Sequence, residues 1–410
     1  MIRNLVDSEI EWIGKIPSNW KVIPLKYASN EINIKNNPIK MTNILSLTNT
    51  LGVVPYEEKG NQGNISKEDL SQYKLAYKDT IIINSMNLKI GSVGLSNYDG
   101  CVSPVYYVLK NNERTNIKFL NYIFQSDFQK YLGKFGKGIL EIREKISMYD
   151  TLHSYIPIPS LNEQNLIVDY LDNNCLKIDS IIEDNKKEIE LLEEYKMNYI
   201  TDEIKNIKAP YIKLKYLGNL QNGISAEKDK FESGNGTFVN YGDVYNNIVI
   251  PENPIGVIDL TDSESKTYSL KKGDILFTRT SETIEEVGIS SVCLKDYPNS
   301  AFSGFVIRFR PYEDNMLPEF YKYYFKLKEH RDYFAKEMNI VTRASLSQGL
   351  LGDLKVILPS KEIQKEVAKK IDDRLSKINN TIDYRKKIIC KLEEYKKSFI
   401  YEIVTGKKEV

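Results

Sequence analysis

The chain has 410 residues, 41% apolar and 28% charged, and its 57 basic and 56 acidic side chains leave a net charge of +1. That length allows two or three domains, that composition excludes extensive disorder, and no apolar run approaches the roughly 20 residues that span a bilayer. Two histidines, His153 and His330, are too few for a His-rich metal site and read as ordinary surface or core residues.

The opening, Met1–Ile10, has no basic patch followed by an apolar stretch and does not read as a signal peptide. A first globular module is expected over 1–155, with 19 basic and 15 acidic residues, a net of +4. Within it, Tyr77-Lys78-Asp79-Thr80-Ile81-Ile82-Ile83 reads as an apolar strand entered from a charged turn. A polar loop with Asn84, Ser85, Asn87 and Lys89 follows, then a Val93-Gly94 step. Cys101 is the first of four cysteines; with Cys175, Cys293 and Cys390 it shows no CxxC spacing, which reads as free thiols in a reducing cytoplasm. Further on, Lys134-Phe135-Gly136-Lys137-Gly138 is basic and glycine-rich, and Arg143 and Ser147 come next.

Residues 156–208 read as a long helix. Pro159 stands just outside its start, and Leu171, Cys175, Ile178, Ile182, Ile189 and Leu192 follow heptad spacing, with Asn185 at one polar heptad place. A second module is expected over 209–355, with 18 basic and 20 acidic residues, a net of −2. It repeats the outline of the first: Leu214-Lys215-Tyr216 answers Leu25-Lys26-Tyr27, and the strand entry Leu270–Phe277 answers Tyr77–Ile83. The polar loop Arg279, Thr280, Ser281 leads to Val287-Gly288, and Arg343 and Ser347 stand 200 residues after Arg143 and Ser147. A second long helix is expected over 356–410, with Ile371, Leu375, Ile378, Ile382, Ile389 and Leu392 in the seam, Arg385 at the polar place and Gly406 just past the end. Each helix of about 40 residues would reach roughly 60 Å at 1.5 Å per residue.

The two helical segments repeat without gaps at an offset of 200, with about a third of positions identical; Leu192-Glu193-Glu194-Tyr195-Lys196 recurs as Leu392-Glu393-Glu394-Tyr395-Lys396. Residues 156–208 hold 12 acidic and 6 basic side chains, a net of −6, whereas 356–410 hold 9 and 14, a net of +5. Opposite charge along a shared apolar seam suits the two helices to pair with each other, and the intervening module lets the chain return antiparallel. A solvated stalk with incidental charge is the competing reading. The expected class is α+β: two mixed α/β modules and two long helices in an antiparallel coiled coil, with pseudo-two-fold repetition.

The segment Glu11-Trp12-Ile13-Gly14-Lys15-Ile16-Pro17-Ser18-Asn19-Trp20-Lys21-Val22 resembles the entry to the first target-recognition domain of type I restriction–modification DNA-specificity subunits. Leu45-Ser46-Leu47-Thr48-Asn49 with Gly52-Val53-Val54-Pro55, and Lys272-Gly273-Asp274-Ile275-Leu276-Phe277-Thr278-Arg279, are similar to segments of those domains. Ile156-Pro157-Ile158-Pro159-Ser160 with Glu163-Gln164 resembles the junction into the helical spacer; the second copy departs from it, with Ile363 in place of the glutamate. The resemblance covers essentially the whole chain. It implies a cytoplasmic, non-catalytic subunit whose modules are target-recognition domains, each reading half of a bipartite site in double-stranded DNA. It also implies that the helices set the gap and dock two adenine-N6 methyltransferase subunits, and that a restriction/translocase subunit joins the complex. S-adenosylmethionine, ATP and Mg would then sit on those partners, with no cofactor, metal or membrane contact in this chain.

DNA readers need cations for phosphates and Arg, Lys, Asn or Gln for base edges. Asn84, Asn87, Lys89, Lys134, Lys137, Arg143, Arg279, Thr280, Ser281 and Arg343 are the candidate contacts, each weighed against a solvated loop or a structural ion pair. Catalytic signatures are missing: Asn37-Pro38 and Asn253-Pro254 are each followed by Ile rather than completing an Asn-Pro-Pro-aromatic tetrad. There is no G-x-x-x-x-G-K-[ST] phosphate loop. Phe231–Gly236 resembles a methyl-donor glycine loop but lacks a preceding apolar strand and reads as a turn. A coiled-coil scaffold with two protein-binding modules and no DNA role is the alternative, and a standalone enzyme is a third reading.

Overall fold

The computed structural model describes residues 4–48, 51–60, 69–86, 92–136, 145–225, 234–337 and 344–410. Two compact units divide the chain, the first comprising 1–186 with 386–410 and the second 187–385. The long helices run from Leu161 to Lys205 and from Lys361 to Val404. Each helix therefore contributes its first half to the unit of the module before it and its second half to the other unit.

The module of the first unit is built on a four-stranded antiparallel sheet, in spatial order Ser29–Glu31, Tyr106–Asn111, Ile81–Asn84, Val93–Leu95. The module of the second unit has the same order: Gly218–Asn222, Val306–Pro311, Ile275–Thr278, Ser290–Val292. Register makes the match residue by residue, since Ile81 faces Leu109 as Ile275 faces Phe309. The charged turns before the central strands agree as well: Asp79 and Gly273 both take positive φ, 60° and 92°. Glycine does this without the Cβ penalty that aspartate carries.

The start and end of each module meet in a two-stranded pair at the foot of its helix, Lys21–Pro24 with Tyr155–Ile158 and Tyr211–Lys213 with Lys355–Ile357. The repeated glutamines act here. Gln164 Oε1 accepts from the Asn116 amide (2.8 Å) and its Nε2 donates to Pro159 O (3.0 Å). Gln364 does the same with the Leu317 amide (2.8 Å) and Pro359 O (2.8 Å), and each glutamine reaches one more carbonyl, Arg114 O (3.3 Å) and Asn315 O (2.8 Å). Both glutamines are fully buried, so each closes a helix start against its module with a satisfied amide.

The seam residues fall into two groups. Leu171, Ile178, Ile182, Ile371, Ile378 and Ile382 are buried, while Ile189, Leu192, Ile389 and Leu392 are half-buried. In the second unit the helix partners run in opposite directions: Glu188 pairs with Arg385, and Glu203 with Lys370 at 2.8 Å. In the first unit Tyr170 lies against Phe399 and Asp179 pairs with Lys396 at 2.6 Å. These ion pairs all put the acid on the first helix and the base on the second. At the polar heptad places, buried Asn185 donates to Ile181 O of its own helix, and Arg385 is the partner of Glu188.

Each unit has one large core. In the first, Trp12, Ile13, Trp20 and the helix Ile117–Gln125 pack with Ile167, Leu171 and Cys175 of the first long helix and with Phe399, Ile400, Ile403 and Val404 of the second. In the second, Leu214, Phe320 and Tyr324 pack with Ala368, Ile371 and Leu375, and with Ile200 and Ile204. The offset of 200 thus pairs residues doing the same work in different units. Second-helix residues fill the place in one core that first-helix residues fill in the other.

Candidate nucleic-acid interface

The strand-end loops supply the candidate reading face of each module. Asn84 ends the central strand of the first module, where it is buried and its Oδ1 accepts from the Met86 amide (3.1 Å). Ser85 donates to Val105 O (2.9 Å), and its own carbonyl accepts from the Ile146 amide (3.0 Å). These bonds shape the loop's exit and occupy the Asn84 oxygen. Lys134 is exposed, its ammonium held by Glu11 at 2.6 Å at the end of an aromatic row, Trp12, Phe128, Tyr131 and Phe135. Asn87, Lys89, Lys137, Arg143 and Arg343 lie outside the described residues.

In the second module Arg279 occupies the place of Ser85. Its amide donates to Phe305 O (2.8 Å), its carbonyl accepts from the Leu346 amide (2.8 Å), and its guanidinium reaches Gly304 O (3.3 Å). Thr280 and Ser281 pair antiparallel with Ala344 and Ser345, and the Thr280 and Ser345 hydroxyls are 3.3 Å apart. Ser281 Oγ donates to the Glu286 carboxylate. Arg279, Thr280 and Ser281 are thus brought together, alongside residues that spacing alone did not single out. Tyr241, Phe305 and Glu282 join Thr280 and Ser281 around a recess of about 230 Å³. Phe305 is 56% exposed, an aromatic face directed outward from a strand end. Arg331 donates to the carbonyls of Ile284, Glu285 and Val287 and so holds the turn beside the recess. The hint in the sequence was the shared turn between strand ends, Ser103–Tyr106 and Ser303–Val306, whose exposed large hydrophobic residues are Val105 and Phe305.

Both histidines and three of the four cysteines sit among packed side chains. His330 is buried against Tyr324 and Phe325, and burial pushes its pKa down to about 4. His153 stacks on Tyr149 with ring centroids 3.9 Å apart. Cys101, Cys175 and Cys293 are buried free thiols and Cys390 is an exposed one. Among the described residues no cluster of His, Cys, Asp or Glu has the makings of a metal site, and no helix is long and apolar enough to cross a membrane.

With this geometry in place, comparison with known proteins gives the family. A model of the type I restriction modification DNA specificity domain matches twice, over 17–193 and 205–394, and the chain belongs to that family. The specificity subunit of the EcoKI type I restriction enzyme from Escherichia coli (strain K12) is 27% identical over 236 residues, 53% of this chain and 50% of that protein. The chain therefore spans about half the length of the curated relative it matches. Among solved structures, a chain from a study of complex assembly and conformational transition in the type I R-M system aligns with a TM-score of 0.74 at 14% identity, covering 96% of this chain and 99% of that one. The HsdS subunit from Thermoanaerobacter tengcongensis aligns with a TM-score of 0.53 at 15% identity, over 96% and 98%. At such identities the structural likenesses establish the fold alone.

Proposed function

We propose that this chain is the non-catalytic DNA-specificity subunit of a cytoplasmic type I restriction–modification complex. The module over 1–155 reads one half of a bipartite target in double-stranded DNA, and the module over 209–355 reads the other. The helical segments 156–208 and 356–410 set the gap and dock two adenine-N6 methyltransferase subunits, and a restriction/translocase subunit joins them. S-adenosylmethionine, ATP and Mg act on those partners. The observation that carries this reading is the duplication itself. Two modules share sheet order and register yet end in differently composed loops, as two readers of different half-sites require. Asn84, Lys134, Arg279, Thr280 and Ser281, with Asn87, Lys89, Lys137, Arg143 and Arg343, are proposed as the DNA-contacting set, and Phe305 and Tyr241 join it from the recess.

One observation favours the protein-binding alternative for the second module. The turn beside its recess carries Glu282, Glu285 and Glu286, and Arg331 is spent on backbone carbonyls there. A gel-shift titration with the methyltransferase partner present separates the readings. Salt-sensitive, sequence-selective binding to a bipartite site is expected; binding of partner without DNA selectivity would leave the scaffold reading. Deleting one heptad from each helix, 179–185 with 379–385, should shorten the tolerated gap and leave the half-site letters unchanged.

A further inference from the structure

Each unit holds a cleft between its module and the two long helices. In the first unit it measures about 370 Å³ and is lined by Tyr122, Gln125, Asp172, Asp179 and Lys396. In the second it measures about 600 Å³, within the range of small-ligand sites, and Tyr323, Lys326, Asp372, Asn379 and Lys196 take the matching places. The decisive change is Gln125 to Lys326.

The other charged groups of the second cleft are satisfied. Asp372 holds Lys322 at 2.7 Å and accepts from the Tyr323 hydroxyl, and Glu193 holds Lys196 at 2.8 Å. Lys326 alone among them has no side-chain hydrogen bond or ion pair with the described residues. Burial holds its ammonium below the usual lysine range, and Arg331 adds like-charge repulsion. A cation withdrawn from water without a counter-charge is costly, and a partner that supplies the charge removes that cost. A lysine just past a helix end is also favoured by the last carbonyls. Lys326 follows the helix Pro318–Tyr324 and its backbone amide bonds Tyr323 O, yet its ammonium donates to none of them. The glutamine at the matching place in the first unit shows that this fold does not need a cation there.

We propose that the second-unit cleft is an anion-accepting site in which the Lys326 ammonium receives a carboxylate or phosphoryl group, with the Asn379 and Asn380 amides and the Ser376 hydroxyl as further donors from the cleft wall. The first-unit cleft, with Asp172 and Asp179 and no counterpart of Lys326, does not share this activity.

The test is thermal melting of the full chain at constant ionic strength, titrated with inorganic phosphate or with an acetylated, amidated tri-glutamate peptide. Wild type is compared with Lys326→Gln, Lys326→Met and Lys196→Gln. A saturable rise in Tm is expected in wild type and in Lys196→Gln, and it is lost in both Lys326 variants. Without anion, those two variants should melt no lower than wild type. A response to phosphate alone identifies a free anion, and a response to the peptide identifies an acidic protein segment. If neither probe gives a shift that depends on Lys326, the proposal is overturned. Should the Lys326 variants fail to fold, selectively ¹³C-labelled lysine in the wild-type chain decides: a Lys326 side-chain resonance unmoved by both probes rejects the site.

Discussion

The two units solve one packing problem with different chemistry, and the clearest case lies where each receives the end of the other module's helix. In the first unit Tyr170 and Phe399 stand 5.9 Å apart and Ile403 is fully buried. In the second, Tyr199 answers Phe399, but the positions 200 residues from Tyr170 and Ile403 are Lys370 and Glu203, which form an ion pair at 2.8 Å. The same backbone site is an apolar plug in one unit and a salt bridge in the other. The repeated frame is shared, and the contacts made at this place differ.

That contrast can be broken by truncation. Ile403→Ala should cost about 2–5 kcal/mol, the range for emptying a fully buried aliphatic site. Glu203→Ala should cost about 1 kcal/mol or less, because its side chain is partly exposed and surface-type ion pairs contribute little. Urea melts followed by fluorescence check both, and equal losses would erase the proposed difference.

Acid should separate the units next. The folded pKa of His330, about 4, lies below the ordinary 6.5, so its contribution is fully present above pH 6.5. It is lost as pH falls through that value toward 4, by an amount on the order of 3 kcal/mol. The one histidine of the first unit, His153, is half-buried beside Tyr149 rather than enclosed. Hydrogen exchange at pH 7 and pH 4.5 should show the second unit opening preferentially at the lower value, and His330→Gln should flatten the difference.

The glutamine closures should give the smallest contrast, because here the units agree. Gln164→Ala and Gln364→Ala each orphan a part-buried backbone amide and a buried carbonyl, for about 2 kcal/mol apiece. Chemical denaturation of the two variants should give losses that match within experimental scatter.

How much of this was legible in the chain depends on how far each signal reaches. The seam residues Leu171, Ile178 and Ile182 were legible because heptad spacing encodes burial locally. The half-burial of Ile189 and Leu192 was not, since it depends on what lies opposite. Gln164 could be seen to repeat, but its partner Asn116 is 48 residues upstream and no periodicity points to it. Packing of Phe399 and Ile403 on Trp12 and Ile13 joins the two ends of the chain, a distance that no local pattern records. For Asn84 and Arg279 the residue types suited base contact, yet side-chain and backbone bonds to their own loops decide what remains available. Tyr241 and Phe305 reached the recess without any motif to mark them.

That two diverged readers share one duplicated frame is the centre of the proposed function. It is tested most directly by selecting bound sequences from a random DNA pool with the full chain and its methyltransferase partner. Two unlike short motifs separated by a gap of constant length are expected, with their order reversed when the modules 1–155 and 209–355 are exchanged. A single contiguous motif, or an order unchanged by the exchange, would contradict it.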